Sequence, residues 1–368
     1  MAVVQDVCGD CARRSWLVAR LAAHLERHRR GARVVREVLA LDDRTLITAL
    51  GGRREDALLA DWRSVRPDNL LADWAAAGAS ALCLHAPAYP PRLHDLGDRP
   101  AVLHIHGDPG RMHGLIGARS RVAAVVGARR ASAEGRELAR SLGRDLSAAG
   151  VTVASGMALG VDSAAHEGAL AAGASTITVL ACGPTSAYPP SRAALHAELA
   201  ERALVLSELP PGVPPWRWSF PARNRIIAAL AEITIVVEAA ERSGSLITAE
   251  IALELGREVG AVPGSPVSWR ATGANQLLRD GAVLVRDAED VLDALFGVGR
   301  VRPAPGGPTL VPADLEADLR ELLRMVEDAG GVAAAPIADA HAALAGLTEL
   351  ELLGLIERDG GRWVRRGR

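Results

Sequence analysis

Side chains that can bind a polyanion are concentrated in residues 216–225, which read WRWSFPARNR. The stretch lies within residues 209–231, a segment that contains no Asp or Glu. Bases stack on aromatic rings while guanidinium groups pair with phosphates, so this composition suits an unstacked nucleic-acid strand. Trp and Phe also serve as ordinary packing residues, and arginines on a helix are often only solvated. Both interpretations stay open on these residues alone.

A strand, a loop and a helix are predicted directly after this stretch. Ile226 to Leu230 has the composition of a helix, whose first turn would carry Arg223, Asn224 and Arg225. Free N–H groups in a first turn favour an anion. Residues 233–237 read as a buried strand, and the loop 242–245, Arg-Ser-Gly-Ser, precedes a second helix. The pattern predicts an anion site, although Ser-Gly-Ser after a strand is also a common turn with a helix N-cap.

The elements that must position these residues form a regular α/β pattern between residues 121 and 295. Strands are predicted at 122–126, 152–155, 176–181, 203–207, 233–238 and 258–262, each followed by a loop and a helix-length segment. This alternation predicts a Rossmann-like, doubly wound, mostly parallel sheet with helices on both faces.

Ligands of such sheets bind outside the carboxyl ends of the strands, so we expect the functional residues just after each strand. The candidates at these positions are Gly127, Arg129, Ser132, Ser155, Gly156, Gly183, Ser243, Gly244 and Ser245. Most are small, which lets a backbone approach a phosphate chain closely. None belongs to a GxGxxG fingerprint, so dinucleotide binding is not predicted.

Composition excludes several reaction classes. The 368 residues contain no lysine, which rules out P-loop, Schiff-base and kinase-type lysine chemistry. Asp162 and His166 are one helical turn apart and could form an acid–base pair, but a structural hydrogen bond is the favoured interpretation. We find no nucleophile constellation and predict neither catalysis nor a cofactor.

The formal net charge of −2 means that nucleic-acid binding would require a local basic patch. Four cysteines do not indicate a disulfide framework, and neither a signal peptide nor an apolar run of membrane-spanning length is found, so we expect a cytoplasmic protein without a membrane partner. Cys8 and Cys11 have metal-like spacing, and their only plausible partners in the sequence are His24 or His28. An ordinary pair of small residues before a helix is favoured, and no metal is predicted.

Domain organisation follows from the same patterns. We predict an N-terminal helical, SAM-like domain at 1–83, a Rossmann-like DNA-binding domain at 84–295, a Pro/Gly-rich linker at 296–312 and a C-terminal winged-helix-like domain at 313–368. The last domain rests on apolar helix faces followed by a Gly-Gly turn and a basic strand.

Several long motifs agree, in order and spacing, with one family. VVGARRASAEG (125–135), ASGMALGVDSAAHEGAL (154–170), FPARNRIIAAL (220–230), RSGSLITAEIALELGREVGAVPG (242–264) and GANQLLRDGA (273–282) resemble the DNA-processing protein A family, also called DprA or Smf. The resemblance covers roughly residues 85–295. It implies a Rossmann-like core that binds and protects single-stranded DNA, forms a homodimer and loads the RecA recombinase in natural transformation or recombination.

The resemblance also implies DNA-binding roles for individual residues. These are Arg129 of the Gly-Ser-Arg motif; Phe220, Arg223, Asn224 and Arg225 of the Phe-Pro-x-Arg-Asn-Arg motif; Ser243, Gly244, Ser245 and Thr248 of the Ser-Gly-Ser-Leu-x-Thr loop; and Asn275 in the last motif. Ala128 replaces the family's usual Ser, and Arg192 its usual Asn, where it could add a phosphate contact.

Two functions of different classes follow. The first is a non-enzymatic single-strand-binding and recombinase-loading protein. The second is an enzyme of nucleotide metabolism, because the strand–loop–helix unit with Glu250 also resembles glycine-rich loops of Rossmann-like nucleoside-monophosphate hydrolases. The aromatic–arginine stretch and the length of the family resemblance favour the first.

Overall fold

The computed structural model describes residues 4–28, 31–301, 316–328, 340–353, 355–359 and 362–365. The chain divides into two compact units, Met1–Val301 and Arg302–Arg368. No helix among these described residues is long and apolar enough to cross a membrane.

The first unit is built on a sheet that has ten strands among the described residues. Their bounds are β1 (Gln5–Asp6), β2 (Ser80–Cys83), β3 (Val102–Gly107), β4 (Val122–Val126), β5 (Thr152–Ser155), β6 (Thr176–Leu180), β7 (Leu204–Ser207), β8 (Ile233–Val236), β9 (Glu258–Ala261) and β10 (Val283–Leu284). Their spatial order is β1-β2-β3-β7-β6-β5-β4-β8-β9-β10. Only β3 runs antiparallel to its neighbours β2 and β7. The six predicted strands are confirmed as β4 to β9, and the mostly parallel α/β class is confirmed with them.

Helices α1 to α6 precede β3 in the chain. Their bounds are α1 (Gly9–Arg20), α2 (Ala22–His28), α3 (Ala32–Leu39), α4 (Asp43–Gly51), α5 (Glu55–Ser64) and α6 (Pro67–Ala76). Residues 1–83 were predicted to form a separate helical domain. In the structure they also supply β1 and β2 to the common sheet, and they belong to the same compact unit as the residues that follow.

Eight further helices complete the unit. Their bounds are α7 (Met112–Ile116), α8 (Ala133–Ala148), α9 (Val161–Ala171), α10 (Ala193–Arg202), α11 (Ser219–Leu230), α12 (Gly244–Glu254), α13 (Thr272–Arg279) and α14 (Ala288–Phe296). The apolar side chains of α8, α9 and α14 pack in one core, and those of α11, α12 and α13 pack in another.

Strand β4 shows why the sequence forms a sheet that is covered on both faces. Its five residues, VAAVV, are all buried. Val122, Ala124 and Val126 belong to the core under α11 and α12, whereas Ala123 and Val125 belong to the core under α8 and α9. Alternate side chains of a strand point to opposite faces, so an uninterrupted apolar run is what a doubly covered strand requires.

The strand order places a topological switch point beside β4. From β4 the chain proceeds outward through β5, β6 and β7, then returns to place β8 and β9 on the other side of β4. The helices that follow β4 and β8 therefore leave toward opposite faces, which opens a crevice at the carboxyl ends of these strands.

The second unit contains α15 (Ala317–Asp328), α16 (Ala340–Leu352), β11 (Ile356–Asp359) and β12 (Arg362–Arg365). β11 and β12 form an antiparallel hairpin, and Trp363 packs with leucines of both helices. A helix pair followed by a hairpin agrees with the predicted winged helix, which stays a prediction because residues 329–339 lie outside the described part. Most of the predicted linker, residues 302–312, lies outside it too.

Candidate nucleic-acid interface

A cleft of about 290 Å³ opens at the switch point. We call it the switch-point cleft. Predicted site residues that line it are Gly127, Arg129, Phe220, Arg223, Asn224, Ser243, Gly244, Ser245 and Thr248. The structure thus brings together nine of the fifteen residues that the sequence singled out. They come from the loop after β4, from α11, and from the start of α12.

Arg129 and Phe220 form the exposed rim of the cleft. The guanidinium carbon of Arg129 lies 5.1 Å from the ring centroid of Phe220, a cation–π distance. Arg129 is exposed and Phe220 half-buried. Phe220 also contacts Tyr188, with ring centroids 5.6 Å apart, and both rings line an adjoining cavity of about 130 Å³. A cation beside two partly exposed rings can contact both parts of a nucleotide, the phosphate and the base.

Arg223 lies deeper and is held in a fixed position. It is 7% exposed and donates a hydrogen bond of 2.7 Å from Nη1 to the carbonyl of Val179. Burial lowers the pKa of Arg223, and the carboxylate of Asp162 opposes that shift. Burial raises the pKa of Asp162 in turn. A cation that is largely shielded from water is a strong anion partner, because little hydration has to be removed when the anion binds.

Gly156, at the end of β5, makes room for this arginine. A Cβ atom on residue 156 would lie 1.6 Å from Nη1 of Arg223. No side chain fits at this position while Arg223 keeps its place. The predicted strand-end glycine therefore accommodates a cation, and the approach of its backbone to a phosphate stays a prediction.

The N-terminus of α12 closes the other side of the cleft. Ser243 is the N-cap residue, and its Oγ accepts a hydrogen bond from the backbone N–H of Ser245 and lies 2.8 Å from Ser245 Oγ. Asn224 donates from Nδ2 to the carbonyl of Gly244 at 3.2 Å. No acidic residue occupies the first turn of α12. The positive end of the helix therefore faces the cleft, and Asp162, whose carboxylate also lines the cleft, lies on α9 and not in this turn.

Arg225 is a correction to the sequence prediction. Its side chain is 0% exposed and forms ion pairs with Glu208 at 2.7 Å and with Asp98 at 2.8 Å. Burial alone would lower the pKa of Arg225, but the two carboxylates raise it above its ordinary value, so the group stays cationic. A guanidinium enclosed by two carboxylates is not available to a phosphate. We therefore assign Arg225 to the stability of the fold.

The tryptophans of the 216–225 stretch are packing residues, one of the two interpretations that the sequence left open. Trp218 is 1% exposed and donates from Nε1 to the carbonyl of Ala22 in α2 at 3.0 Å. Trp216 packs against the same apolar cluster, in which residues of the five helices α1–α5 contact residues of α11. Of the three aromatic residues, only Phe220 lines the cleft.

The start of α11 is a second correction. The helix begins at Ser219 and not near Arg223, so Arg223 to Arg225 lie in its second turn. Free N–H groups of a first turn are therefore not available at these three residues, and the anion site uses side chains of α11 together with the N-terminus of α12.

The remaining predicted residues have structural contacts. Ser132 caps α8 and donates its hydroxyl to Glu238 at 2.6 Å, and the fully buried Ser155 donates to the carbonyl of Val125 at 2.7 Å. Gly183 is buried under the backbone of Pro210, and Asn275 makes two hydrogen bonds with the backbone of Gly264. Arg192, which replaces the family's Asn, pairs with Glu167 at 3.2 Å.

Residues 269 and 270 were missed by the sequence analysis. Trp269 is 61% exposed, and the guanidinium of Arg270 lies 4.6 Å from the centroid of its indole. Arg270 also reaches the carbonyl of Arg130 at 3.4 Å, which brings this pair to the loop that carries Arg129. The adjacent Trp and Arg were visible in the sequence, but nothing local connected them with a loop that is far away in the chain.

Asp162 and His166 do not act as a pair. Asp162 accepts from the backbone N–H of Ala158 at 3.4 Å. Thr176 donates its hydroxyl to the carbonyl of Val153, so it accepts from Nδ1 of His166 at 2.8 Å. Burial lowers the pKa of His166 to about 3, which keeps the ring neutral. Both residues therefore make separate structural hydrogen bonds.

In the part of the chain that the structure describes, one group with metal-ligand character lies outside the cleft, and it corrects the partners expected for Cys8 and Cys11. Their neighbours are Cys83 and His85, not His24 or His28, and the four ligand atoms lie within 4.8 Å of one another. The side chain of His28 lies outside the described residues.

Comparisons with known proteins bear on this arrangement. The family described as DNA recombination-mediator protein A matches residues 80–296. A putative DNA processing protein DprA of Mycobacterium tuberculosis is 36% identical over 364 residues, which cover 96% of this chain and 86% of that protein. Protein Smf of Escherichia coli is 39% identical over 290 residues, 75% of each chain.

Two solved structures are also similar. DNA processing protein A from Streptococcus pneumoniae superposes with a TM-score of 0.62 and 30% identity, covering 79% of this chain and 99% of that one. DNA processing protein A from Helicobacter pylori, described with a single-stranded DNA binding mode, gives a TM-score of 0.52 and 29% identity over 59% of this chain and 95% of that one.

Proposed function

The chain belongs to the DNA recombination-mediator protein A family, the DprA/Smf family, and we propose that it binds single-stranded DNA in the switch-point cleft. The single observation that carries this proposal is the convergence of Arg129, Arg223 and Phe220 on the N-terminus of α12. The described strand-binding mode of the Helicobacter pylori relative supports it.

Each part of the cleft has a distinct role in the proposal. Arg129, which is exposed, makes the first contact with a phosphate. Arg223 and the backbone N–H groups at the start of α12 hold that phosphate in the shielded part of the cleft. Phe220 stacks on the neighbouring base, which is accessible only when the strand is unpaired. Duplex DNA buries its bases in the stack, so the proposal includes a preference for single strands.

Fluorescence anisotropy with labelled single-stranded and duplex oligonucleotides across a salt series tests this function. We expect Arg129→Ala to weaken single-strand binding by about 1–3 kcal/mol, the scale of a lost charge-assisted contact, and to reduce the salt slope. Arg33→Ala is the matched control, because its side chain is 91% exposed in α3 and its one ion pair among the described residues is with Glu37. Equal effects of the two substitutions, or equal affinity for the two DNA forms, would refute the proposal.

We also propose that the bound strand is protected and passed to the RecA recombinase in natural transformation or recombination, that the protein acts as a homodimer, and that its place is the cytoplasm. The family resemblance supports these steps. RecA filament growth on strands coated with single-strand-binding protein measures the loading, and nuclease digestion measures the protection. Analytical ultracentrifugation measures the oligomeric state. Filament growth that does not respond to this protein would contradict the loading step.

We propose that no catalysis accompanies binding. The absence of a nucleophile constellation in the sequence supports this. Incubation with nucleoside monophosphates, followed by chromatography, should show no release of free base. Release that increases in proportion to protein concentration would instead support the nucleotide-metabolising alternative.

A further inference from the structure

Three thiols and an imidazole converge near the edge of the sheet, and none of these side chains lines the cleft. Cys8 is the N-cap residue of α1, and Cys11 lies in its first turn. Cys83 is the last residue of β2, and His85 lies in the turn that follows. All four ligand atoms lie within 4.8 Å of one another.

Two sulfur–nitrogen distances within this group are close to the edge of a tetrahedron around a metal ion. Nδ1 of His85 is 3.4 Å from Sγ of Cys8 and 3.5 Å from Sγ of Cys11. Zinc at about 2.3 Å from sulfur and about 2.0–2.1 Å from nitrogen requires a sulfur–nitrogen edge of about 3.6 Å. We propose that Cys8, Cys11, Cys83 and His85 bind one zinc ion.

The donor set identifies the class of metal and its role. Three sulfur ligands and one imidazole nitrogen form a set typical of structural zinc sites, while hard cations such as Mg²⁺ and Ca²⁺ require oxygen ligands. Four protein ligands fill a tetrahedral shell and leave no position for water or substrate. The ion is therefore structural and takes no part in a reaction.

Two ligands of the group are buried and can hold an ion in place, and two are exposed and can admit one from solvent. Cys11 and Cys83 are 4% and 2% exposed, and they belong to an apolar cluster with Trp74 and Val102. Cys8 and His85 are exposed, which gives the metal a path from solvent. A disulfide between Cys8 and Cys11 would leave the third thiol and the imidazole beside it without a role.

The position of the ion explains what it would stabilise. Helices α2 to α6 all lie between the two pairs of ligands in the chain. Among the described residues, β1 pairs with β2 through two residue pairs, Gln5 with Ala81 and Asp6 with Leu82. The ion would fix the start of α1 to the end of β2 and so close the whole N-terminal helical segment onto the sheet. Closing a long loop restricts the unfolded chain most.

Metal analysis of the full-length protein, purified with zinc and without chelator, tests the proposal. Inductively coupled plasma mass spectrometry should find one zinc per chain in the wild type and a loss of most of it in Cys83→Ser. Cys182→Ser is the matched control, since Cys182 is also a buried free thiol but lies outside the group. A wild type without stoichiometric zinc, or equal loss in both variants, would overturn the proposal.

A second measurement does not depend on whether Cys83→Ser folds. Cobalt exchanged into the wild type should show the intense visible bands of tetrahedral coordination together with sulfur-to-metal charge transfer. Cys8→Ser, at an exposed position, should weaken the charge-transfer band, and chelator should lower the melting temperature of the wild type more than that of this variant. Weak octahedral bands, or a chelator effect of the same size in both proteins, would refute the tetrahedral thiolate site.

Discussion

Replacement of Arg225 by methionine separates a structural arginine from a DNA-binding one. Methionine keeps an unbranched apolar stem, without the guanidinium group, in a position that is 0% exposed. It removes the ion pairs at 2.7 Å to Glu208 and 2.8 Å to Asp98 and the hydrogen bond of 2.7 Å to the Asp98 carbonyl. Both carboxylates then lie inside the fold without the cation that compensated them.

The expected loss of stability follows from this enclosure. Removal of one partner of a buried pair costs about 3–5 kcal/mol, because the remaining charge stays buried without compensation. Folded domains are stable by about 5–15 kcal/mol, so the loss is a large fraction of the total. Arg36 lies 3.5 Å from Asp98 and keeps one carboxylate partly compensated, which favours the lower part of the range.

Urea denaturation of Arg225→Met measures the loss, and anisotropy on the folded fraction measures strand affinity. We expect a strongly lowered midpoint and an unchanged affinity. Arg129→Met is the matched control and should show the opposite pattern, an unchanged midpoint and a weakened affinity. If Arg225→Met kept its midpoint and lost affinity, the assignment of Arg225 to the fold would be refuted.

Three further predictions follow from individual positions. Gly156→Ala should displace Arg223 and weaken strand binding in the anisotropy assay by at least about tenfold, because one charge-assisted contact is lost. Gly114→Ala is the control and should bind as the wild type does, since an added Cβ at residue 114 meets nothing within 4 Å. Phe220→Ala should lose about 1–3 kcal/mol of strand affinity if a base stacks on the ring, and unchanged affinity would exclude stacking. Burial lowers the pKa of His166 from 6.5 to about 3, so its contribution to stability is present above pH 6.5 and is lost as the pH falls toward 3. Urea denaturation at about pH 7.5 and about pH 5.5 measures how much the free energy of unfolding falls between these pH values. The fall should be about 1.4 kcal/mol smaller in His166→Gln than in the wild type, and equal falls would contradict a buried neutral ring.

The sequence predicted the strands of the α/β core well because their evidence is local. β4 to β9 are short, mostly apolar runs, buried throughout except at Glu258, and burial on both faces requires no information from elsewhere in the chain. The same rule located the cleft, since strand ends of a doubly wound sheet meet at one edge.

Arg223 and Arg225 have different roles in the structure, and the sequence around them did not predict this difference. Residues two apart on a helix point in widely different directions, so one arginine can face the cleft while the other faces the interior. Asp98 and Glu208, which pair with Arg225, lie outside the motif that contains it. No pattern within residues 220–225 distinguishes the two arginines.

The metal-ligand group was missed for a similar reason. Cys8 and Cys11 are adjacent on one helical turn, and their spacing was recognised. Cys83 and His85 lie beyond five further helices, and only the pairing of β1 with β2 brings them together. Proximity in the chain favoured His24 and His28, whereas proximity in the fold is set by the sheet.

Photochemical crosslinking tests the central claim, that the switch-point cleft holds the strand, most directly. A single-stranded oligonucleotide with iodinated uracil is irradiated with the wild-type protein, and the tryptic peptides are sequenced by mass spectrometry. Cleavage after Arg217 and Arg223 releases residues 218–223, and we expect the modified base on Phe220, with the crosslink lost in Phe220→Ala. Crosslinks found only on peptides that do not line the cleft would contradict the proposed site.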